Sequence, residues 1–463
     1  MICLKRLIGD KKFYKHVLSL MIPILIQNGI TNFVNMLDNV MVGRLGSGPM
    51  SGVSIANQLI FIYNLCIFGA VSGAGIFGAQ FIGRKDYKNY RNTFRFKLVF
   101  SLAVTLIGVA VLLIFGGDIT KLFLKGEGEK SQAALMLGSS VSYLKIIVIG
   151  FFPFAVSQSY SSALREIDKA KEPMIASFMA VFVNLVFNYI LIFGHFGFPK
   201  LGVKGAAIAT VLSRFVEMLY LVIKTHFGKE TKEIFKGTFK SFKIPPRLIA
   251  DILKMGLPLM VNETLYATSY ALIAQSYSLR GLSVVAASNI CNTFWEVFAV
   301  AFIASGVSVG IIVGQQLGAG DMEKAESSAY KLIFFSFLIG VLTCALFAST
   351  SKFIPLFYNT SPEIRRMATN LILLDAVLMP FDATVHACYS TIRSGGRVYI
   401  TFAFDSGFAM LIIFPAAFVL ARYTNLSIYW VYMLSRGVVI IKSIVGLILV
   451  KSKIWMKTLG KDV

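Results

Sequence analysis

Gly75-Ile-Phe-Gly-Ala-Gln80-Phe-Ile-Gly83-Arg-Lys-Asp86 and Gly310-Ile-Ile-Val-Gly-Gln315-Gln-Leu-Gly318-Ala-Gly-Asp321 are one phrase written twice, 235 residues apart. The same offset joins Pro23 to Pro258, Gln27 to Asn262 and Asn57 to Asn292. Six of these seven pairs are identical, and the seventh exchanges one carboxamide for another. A constant offset over that length is the mark of an internal duplication. Both copies lie in apolar surroundings, so the duplicated unit is a membrane-embedded half, an arrangement typical of transporters.

The composition agrees. The chain has 463 residues, 56% of them hydrophobic and 15% charged, where a soluble domain carries about 25% charged residues. Twelve apolar runs reach membrane-spanning length, at roughly 17–37, 52–79, 96–116, 134–160, 173–194, 204–224, 252–277, 287–315, 329–348, 367–390, 398–420 and 428–450. The first run follows a short basic segment and lacks a small-residue cleavage site, so it reads as a retained helix and not as a signal peptide. Six spans per half is an even number, so spans 1 and 7 enter from the same side and the halves are parallel repeats. The expected fold is an all-α polytopic membrane protein of twelve transmembrane helices, in two six-helix lobes related by a pseudo-twofold axis along the membrane normal. The polar connector ending in Pro245-Pro246 divides it into an N-lobe, 1–235, and a C-lobe, 236–463.

The net charge of +22 is unevenly placed. With span edges counted in the adjoining loop, the termini and the loops after even-numbered spans hold 30 Lys and Arg, against 11 in the other loops. The positive-inside rule then puts both termini in the cytoplasm, for a multi-pass protein of the cytoplasmic (inner) membrane. The basic connector, with Lys232, Lys236, Lys240 and Lys243, reads as a topogenic and lipid-headgroup segment. Nothing motif-like suggests nucleic-acid binding. Five scattered cysteines without CxxC spacing read as apolar filler.

Enzymatic chemistry finds no support. No P-loop and no HExxH occurs. Gly306-Val-Ser308-Val-Gly310 matches GxSxG, but that motif needs a strand-to-helix elbow, and here it lies in an apolar span. With no nucleotide-binding engine and no cofactor expected, active transport draws on an ion gradient. Matched ladders at Gly75, Ala79, Gly83 and at Gly310, Gly314, Gly318 put small residues on one helix face, where another backbone can approach.

With these motifs the chain resembles the multidrug and toxic compound extrusion (MATE) family. The resemblance rests on Asp38-Asn-Val-Met-Val-Gly43-Arg44-Leu-Gly46, Gly78-Ala-Gln80-Phe-Ile-Gly83 and its echo Gly314-Gln315-Gln316-Leu-Gly318-Ala-Gly-Asp321. Ser162-Ala-Leu-Arg165 and Gly202-Val-Lys-Gly205-Ala-Ala-Ile-Ala-Thr210 add to it. It covers nearly the whole chain. It implies efflux of cationic or amphipathic organic compounds in exchange for Na⁺ or H⁺, by a protein read here as a monomer in the lipid bilayer. The runner-up is a flippase of lipid-linked oligosaccharide. Flippases of the broader fold group usually carry extra spans and a strongly cationic cavity, and few basic residues lie within the spans of this chain.

An acid near the bilayer centre costs about 2.5–3.5 kcal/mol on insertion scales, so each is a functional candidate. The resemblance places a cation-linked aspartate at Asp38, joined by Asn184 and Asn188 on span 5 and Thr210 on span 6. Asn188 stands where some members have Asp. The four-residue spacing puts both asparagines on one helix face, although Asn in membrane helices also serves as interhelical glue. In the C-lobe, Asp382, eleven residues before Arg393, is similar to the cation-binding aspartate of the Na⁺-linked branch, and Glu263 to its glutamate. Glu296 beside Trp295 is a third acid that could converge with them. The alternative is that each pairs with a span cation such as Arg436 or Lys442. Asp405 ranks lower, and Asp375 and Glu217 are expected to snorkel from span ends.

Overall fold

The structure is a computed structural model that describes residues 7–123 and 130–460. Cys3 lies outside them. Cys66, Cys291, Cys344 and Cys388 are free thiols. Every regular element among the described residues is helical. In chain order these are α1 (Lys11–Gly43), α2 (Ser47–Gly83), α3 (Tyr87–Phe123), α4 (Lys130–Ile147), α5 (Phe151–Glu166), α6 (Lys171–Phe193), α7 (Val203–Phe227), the short α8 (Lys232–Phe235), α9 (Pro246–Ser278), α10 (Leu282–Ala319), α11 (Met322–Thr350), α12 (Pro362–Ser394), α13 (Val398–Phe402), α14 (Phe414–Tyr423) and α15 (Ile428–Lys451). A 3₁₀ turn at Val148–Gly150 joins α4 to α5 as one rod, and α13 and α14 make another, so the expected twelve spans are present. Most helices run a turn or more beyond their apolar runs, because backbone hydrogen bonding continues into polar flanks.

Eleven helices among the described residues are long and apolar enough to cross a membrane. The twelfth rod, α9, is 33 residues long but diluted by Asn262, Glu263, Thr264, Thr268 and Ser269. Its polarity is concentrated where the sequence places a candidate site. The eleventh span departs from α geometry. Two π segments, Ala403–Gly407 and Ala409–Ile413, separate α13 from α14. Pro415 cannot give an N–H to the carbonyl of Leu411, and Asp405 sits inside the first π turn. Such bulges concentrate at functional sites.

The chain forms two compact units. One gathers 26–78 and 87–256, the other the segments up to 25, 79–86 and 257 onward. Helices α1, α2 and α9 change unit close to Pro23, Gly78 and Pro258. In the first unit α6 packs on α7, and α5 packs on α3 and α7. Tyr63 stacks on Phe151 at 3.9 Å and donates its hydroxyl to the Phe151 carbonyl at 3.0 Å. In the second unit α12 is the axis, packed by α10, α11 and α15. A Cβ added at Gly340 of α11 would lie 2.5 Å from Pro380 Cα of α12.

The duplicated phrase makes a reciprocal crossing within the second unit. A Cβ on Gly83 would strike the carbonyl of Gln315, and a Cβ on Gly318 would strike the carbonyl of Gln80. Residue i meets j′ while i′ meets j, as a contact on a local two-fold axis must. Gly314 adds to the crossing, since a Cβ there would lie 3.0 Å from the Ala79 methyl, but Gly310 faces open space. The second ladder is therefore a packing surface only over its last two steps. Gln80 is fully buried and ties the crossing to the C-terminal tail. Its amide donates to the carbonyls of Ser394 at 2.9 Å and Lys457 at 3.2 Å, and its oxygen accepts from Leu459 N at 2.7 Å.

Gly83→Ala and Gly318→Ala should each lower the melting temperature of detergent-purified protein, with an overpacking cost of about 1–3 kcal/mol. Gly310→Ala should hold or raise it, because alanine gains about 1 kcal/mol in helix propensity where nothing obstructs it. Equal behaviour of the three variants would contradict the crossing.

Candidate cation site

The first unit brings Asp38 of α1, Asn184 and Asn188 of α6 and Thr210 of α7 into one hydrogen-bonded chain. Two features of the α6–α7 hairpin make this possible. Gly194 takes a left-handed conformation (φ 78°) that closes α6. Gly205 lets α7 approach so closely that a Cβ there would sit 2.5 Å from the Leu191 carbonyl. Thr210 is thereby laid beside Asn184. Asn188 Nδ2 donates to Asp38 Oδ1 at 2.5 Å and to Asn184 Oδ1 at 3.0 Å. Asn184 Nδ2 donates to Thr210 Oγ1 at 3.3 Å, and Thr210 donates to the Ala206 carbonyl at 3.0 Å.

These bonds fix the polarity of the chain. Both amide protons of Asn188 are spent, so its Oδ1 points elsewhere. That oxygen is buried and has no hydrogen-bond partner among the described residues, and leaving such a polar group unmet costs about 1–3 kcal/mol. Among the described residues no Lys or Arg forms an ion pair with Asp38. A carboxylate, amide oxygens and a hydroxyl make a hard donor set, suited to a small cation or, at the carboxylate, to a proton.

The same unit holds an ion pair that the sequence reading did not single out. Lys97 and Glu166 are both buried and paired. Ser162 donates to the same carboxylate oxygen at 2.8 Å. Gly75 and Gly78 of α2 leave the space that this carboxylate fills. Lys97 opens an apolar run and is easily counted with the preceding loop. Only the missing side chains of Gly75 and Gly78 hinted at a neighbour there.

The second unit treats its acids differently. Asp375 is buried, not snorkelling as its position in span 10 suggested. It accepts from Tyr432 Oη at 2.6 Å, Arg436 Nε at 2.9 Å and Cys291 Sγ at 3.3 Å. Asp382 shares that cation, with Arg436 Nη2 at 3.4 Å, and the guanidinium lies 5.6 Å from the Trp295 ring centre. Lys442 Nζ lies 2.9 Å from Asp405 Oδ1. Asn262 donates to Asp405 Oδ2 at 3.1 Å and accepts from Ser406 Oγ at 2.7 Å. Glu263 accepts from Tyr389 Oη at 3.3 Å, and Glu296 is exposed. Asp382 and Glu263 are thus held by separate partners, and among the described residues no bond joins Asp382, Glu263 and Glu296 to one another. Glu217 is also part of the interior, where Ser177 donates to it at 3.1 Å.

The paired carboxamides of the duplication keep parallel roles. Gln27, four residues after Pro23, donates to Ser177 Oγ at 2.9 Å and accepts from Arg165 Nη2 at 2.6 Å. Asn262, four residues after Pro258, clamps Asp405 and Ser406. In each unit a buried amide one turn beyond a proline pins the interrupted helix to a neighbour.

A twice-written bundle of membrane-spanning helices, with ionisable and amide side chains bonded in its interior, defines a polytopic transporter. The family model MatE matches residues 23–190 and 258–419, two stretches that begin at the paired prolines, and the chain belongs to this family of multidrug efflux transporters. It is 27% identical over 460 residues to the "Probable multidrug resistance protein NorM" of Thermotoga maritima, covering 96% of this chain and 93% of the relative. It is 24% identical over 415 residues to the "Probable multidrug resistance protein YoeA" of Bacillus subtilis, covering 89% and 88%. Its fold is similar to the crystal structure of a MATE transporter in complex with MaL6, with a TM-score of 0.86 at 18% identity over 98% of both chains.

Arg436→Met would strand two buried carboxylates, and losing one member of such a network costs about 3–5 kcal/mol. The yield of monodisperse protein should fall sharply. In Asp375→Leu/Arg436→Met the loss should be smaller than the sum of the two single losses, because a double-mutant cycle isolates their coupling. Additive losses would show that Arg436 is not the counter-ion of Asp375.

Proposed function

We propose that this protein is a secondary active antiporter that exports cationic or amphipathic organic compounds in exchange for Na⁺ or H⁺ by alternating access. Asp38, Asn184, Asn188 and Thr210 hold the coupling cation. The observation that carries this reading is that, among the described residues, Asp38 pairs with no Lys or Arg and the oxygen of Asn188, whose amide it accepts from, is buried without a hydrogen-bond partner. A hard cation draws on the carboxylate and on amide oxygens alike. A proton satisfies the carboxylate alone.

The energetics suffice. One charge moving down 100 mV yields about 2.3 kcal/mol, which supports roughly fifty-fold accumulation of cargo per ion. A cation that binds one arrangement of the helices better than another shifts the population toward it, by no more than that difference in affinity. Asp382, Glu263 and the exposed Glu296 supply the acidic character of the second unit and are assigned to cargo or to a second cation. Arg436 and Lys442 are neutralised by Asp375, Asp382 and Asp405. That pairing disfavours a cationic cavity of the kind a flippase of lipid-linked oligosaccharide uses. The protein acts as a transporter and not as an enzyme, needs no cofactor beyond the ion, and works as a monomer of the inner membrane with both termini cytoplasmic.

Proteoliposomes that accumulate a lipophilic cationic dye test the reading, with Na⁺ and pH gradients imposed separately. Asp38→Asn should insert and fold but lose gradient-driven transport by at least about tenfold, on the scale of the fifty-fold coupling above. Wild-type rates in Asp38→Asn under both gradients would exclude the site. Asn188→Leu, which removes the orphaned oxygen, should weaken the dependence on cation concentration while leaving the protein folded. An unchanged dependence would remove Asn188 from the ligand set.

A further inference from the structure

The first unit carries a cavity of about 950 Å³ where the start of α3 faces the connector before α9. Six cations line it, Lys88, Arg91 and Arg95 from α3 and Lys236, Lys240 and Lys243 from the connector, and no Asp or Glu is among its lining residues. Between Glu233 and Asp251 the connector has no acid at all. The cations divide into two kinds. The arginines are pegs that fix the connector. Arg91 Nη1 donates to the Ile234 carbonyl at 3.1 Å, and Arg95 donates to the carbonyls of Thr238 at 2.5 Å and Gly237 at 3.0 Å. Lys88, Lys240 and Lys243 are exposed, and Lys236 makes an exposed contact with Glu233 at 3.6 Å.

Convergence of this many like charges on one cavity opposes folding unless an anion offsets it. The connector also says where that anion comes from. Phe239 and Phe242 alternate with the lysines and are 48% and 59% exposed, with ring centres 5.9 Å apart. Bare aromatic rings beside lysines are the composition of a segment lying in a membrane interface, rings toward the acyl boundary and ammonium groups toward phosphates. The charge distribution of the chain independently predicts the cytoplasmic side for this connector, which faces anionic lipid.

We propose that this cavity is a binding site for the phosphate-bearing headgroup of an anionic phospholipid, with Lys88, Lys236, Lys240 and Lys243 as its ligands and Phe239 and Phe242 anchoring the connector beside the acyl chains. The site is separate from the Asp38 cluster and does not depend on the transport reading.

Full-length protein, delipidated in detergent, would be titrated with mixed micelles of phosphatidylglycerol, with phosphatidylcholine micelles and with sodium tripolyphosphate, and bound ligand counted by native mass spectrometry. Phosphatidylglycerol should bind saturably and phosphatidylcholine should not. Lys240→Gln/Lys243→Gln should weaken phosphatidylglycerol by about tenfold. Phe239→Ser/Phe242→Ser, which leaves every charge in place, should weaken it as well. If tripolyphosphate binds as tightly as phosphatidylglycerol and ignores the Phe pair, a soluble polyanion is the ligand and the lipid site is overturned. If both variants keep wild-type affinity for phosphatidylglycerol, the basic stretch is topogenic charge alone and the proposal is equally overturned.

Discussion

Hydrocarbon offers no water to an ionised side chain, so each charge in a spanning helix must find its partner within the protein. That constraint organises the interior. In the second unit Asp375 and Asp382 share Arg436, and Asp405 takes Lys442. In the first unit Lys97 takes Glu166. Asp38 follows a different rule. It is met by an amide and, among the described residues, by no Lys or Arg. The buried Asn188 oxygen likewise has no hydrogen-bond partner among the described residues.

The duplication supplies a frame and not the chemistry. Residues that keep the 235-residue offset do mechanical work. Gly83 and Gly318 admit each other's partner carbonyls, and Gln27 and Asn262 pin proline-interrupted helices. The interior positions Asp38, Asn184 and Lys97 do not keep the offset, although Asp86 and Asp321 do. The counterparts of Asp38, Asn184 and Lys97 are Ile273, Val419 and Leu332. Two copies of one bundle therefore hold different electrostatic designs: both bury ion pairs, and the first adds a carboxylate, Asp38, that meets an amide and no Lys or Arg among the described residues.

Much of this was legible in the sequence. Apolar runs reported the spans because helix length and bilayer thickness are tied together. The four-residue spacing of Asn184 and Asn188 placed both on one helix face, and Asp38 and Thr210 join them in space. The pairing of Asp382 with Arg436 was open as an alternative and is the one observed. What escaped depends on contacts between distant segments. Asp375 looked peripheral because its ion pair is 61 residues away in sequence. Glu263 and Asp382 looked like one cluster, since spacing along two helices does not say how each is rotated. Gly310 looked like packing because a ladder reports only its own helix, and the neighbour that would fill the groove is missing at that step. The π turns around Asp405 have no period that a hydropathy reading detects.

The central proposal is that Asp38 binds a travelling cation. Binding of radiolabelled Na⁺ and release of protons by purified wild-type protein and Asp38→Asn, measured side by side with no cargo present, tests it most directly. Saturable Na⁺ binding or cation-linked proton release in the wild type, absent from Asp38→Asn while Asp382→Asn keeps part of it, is the result this account predicts. Equal Na⁺ binding and equal proton release by wild type and Asp38→Asn would contradict it.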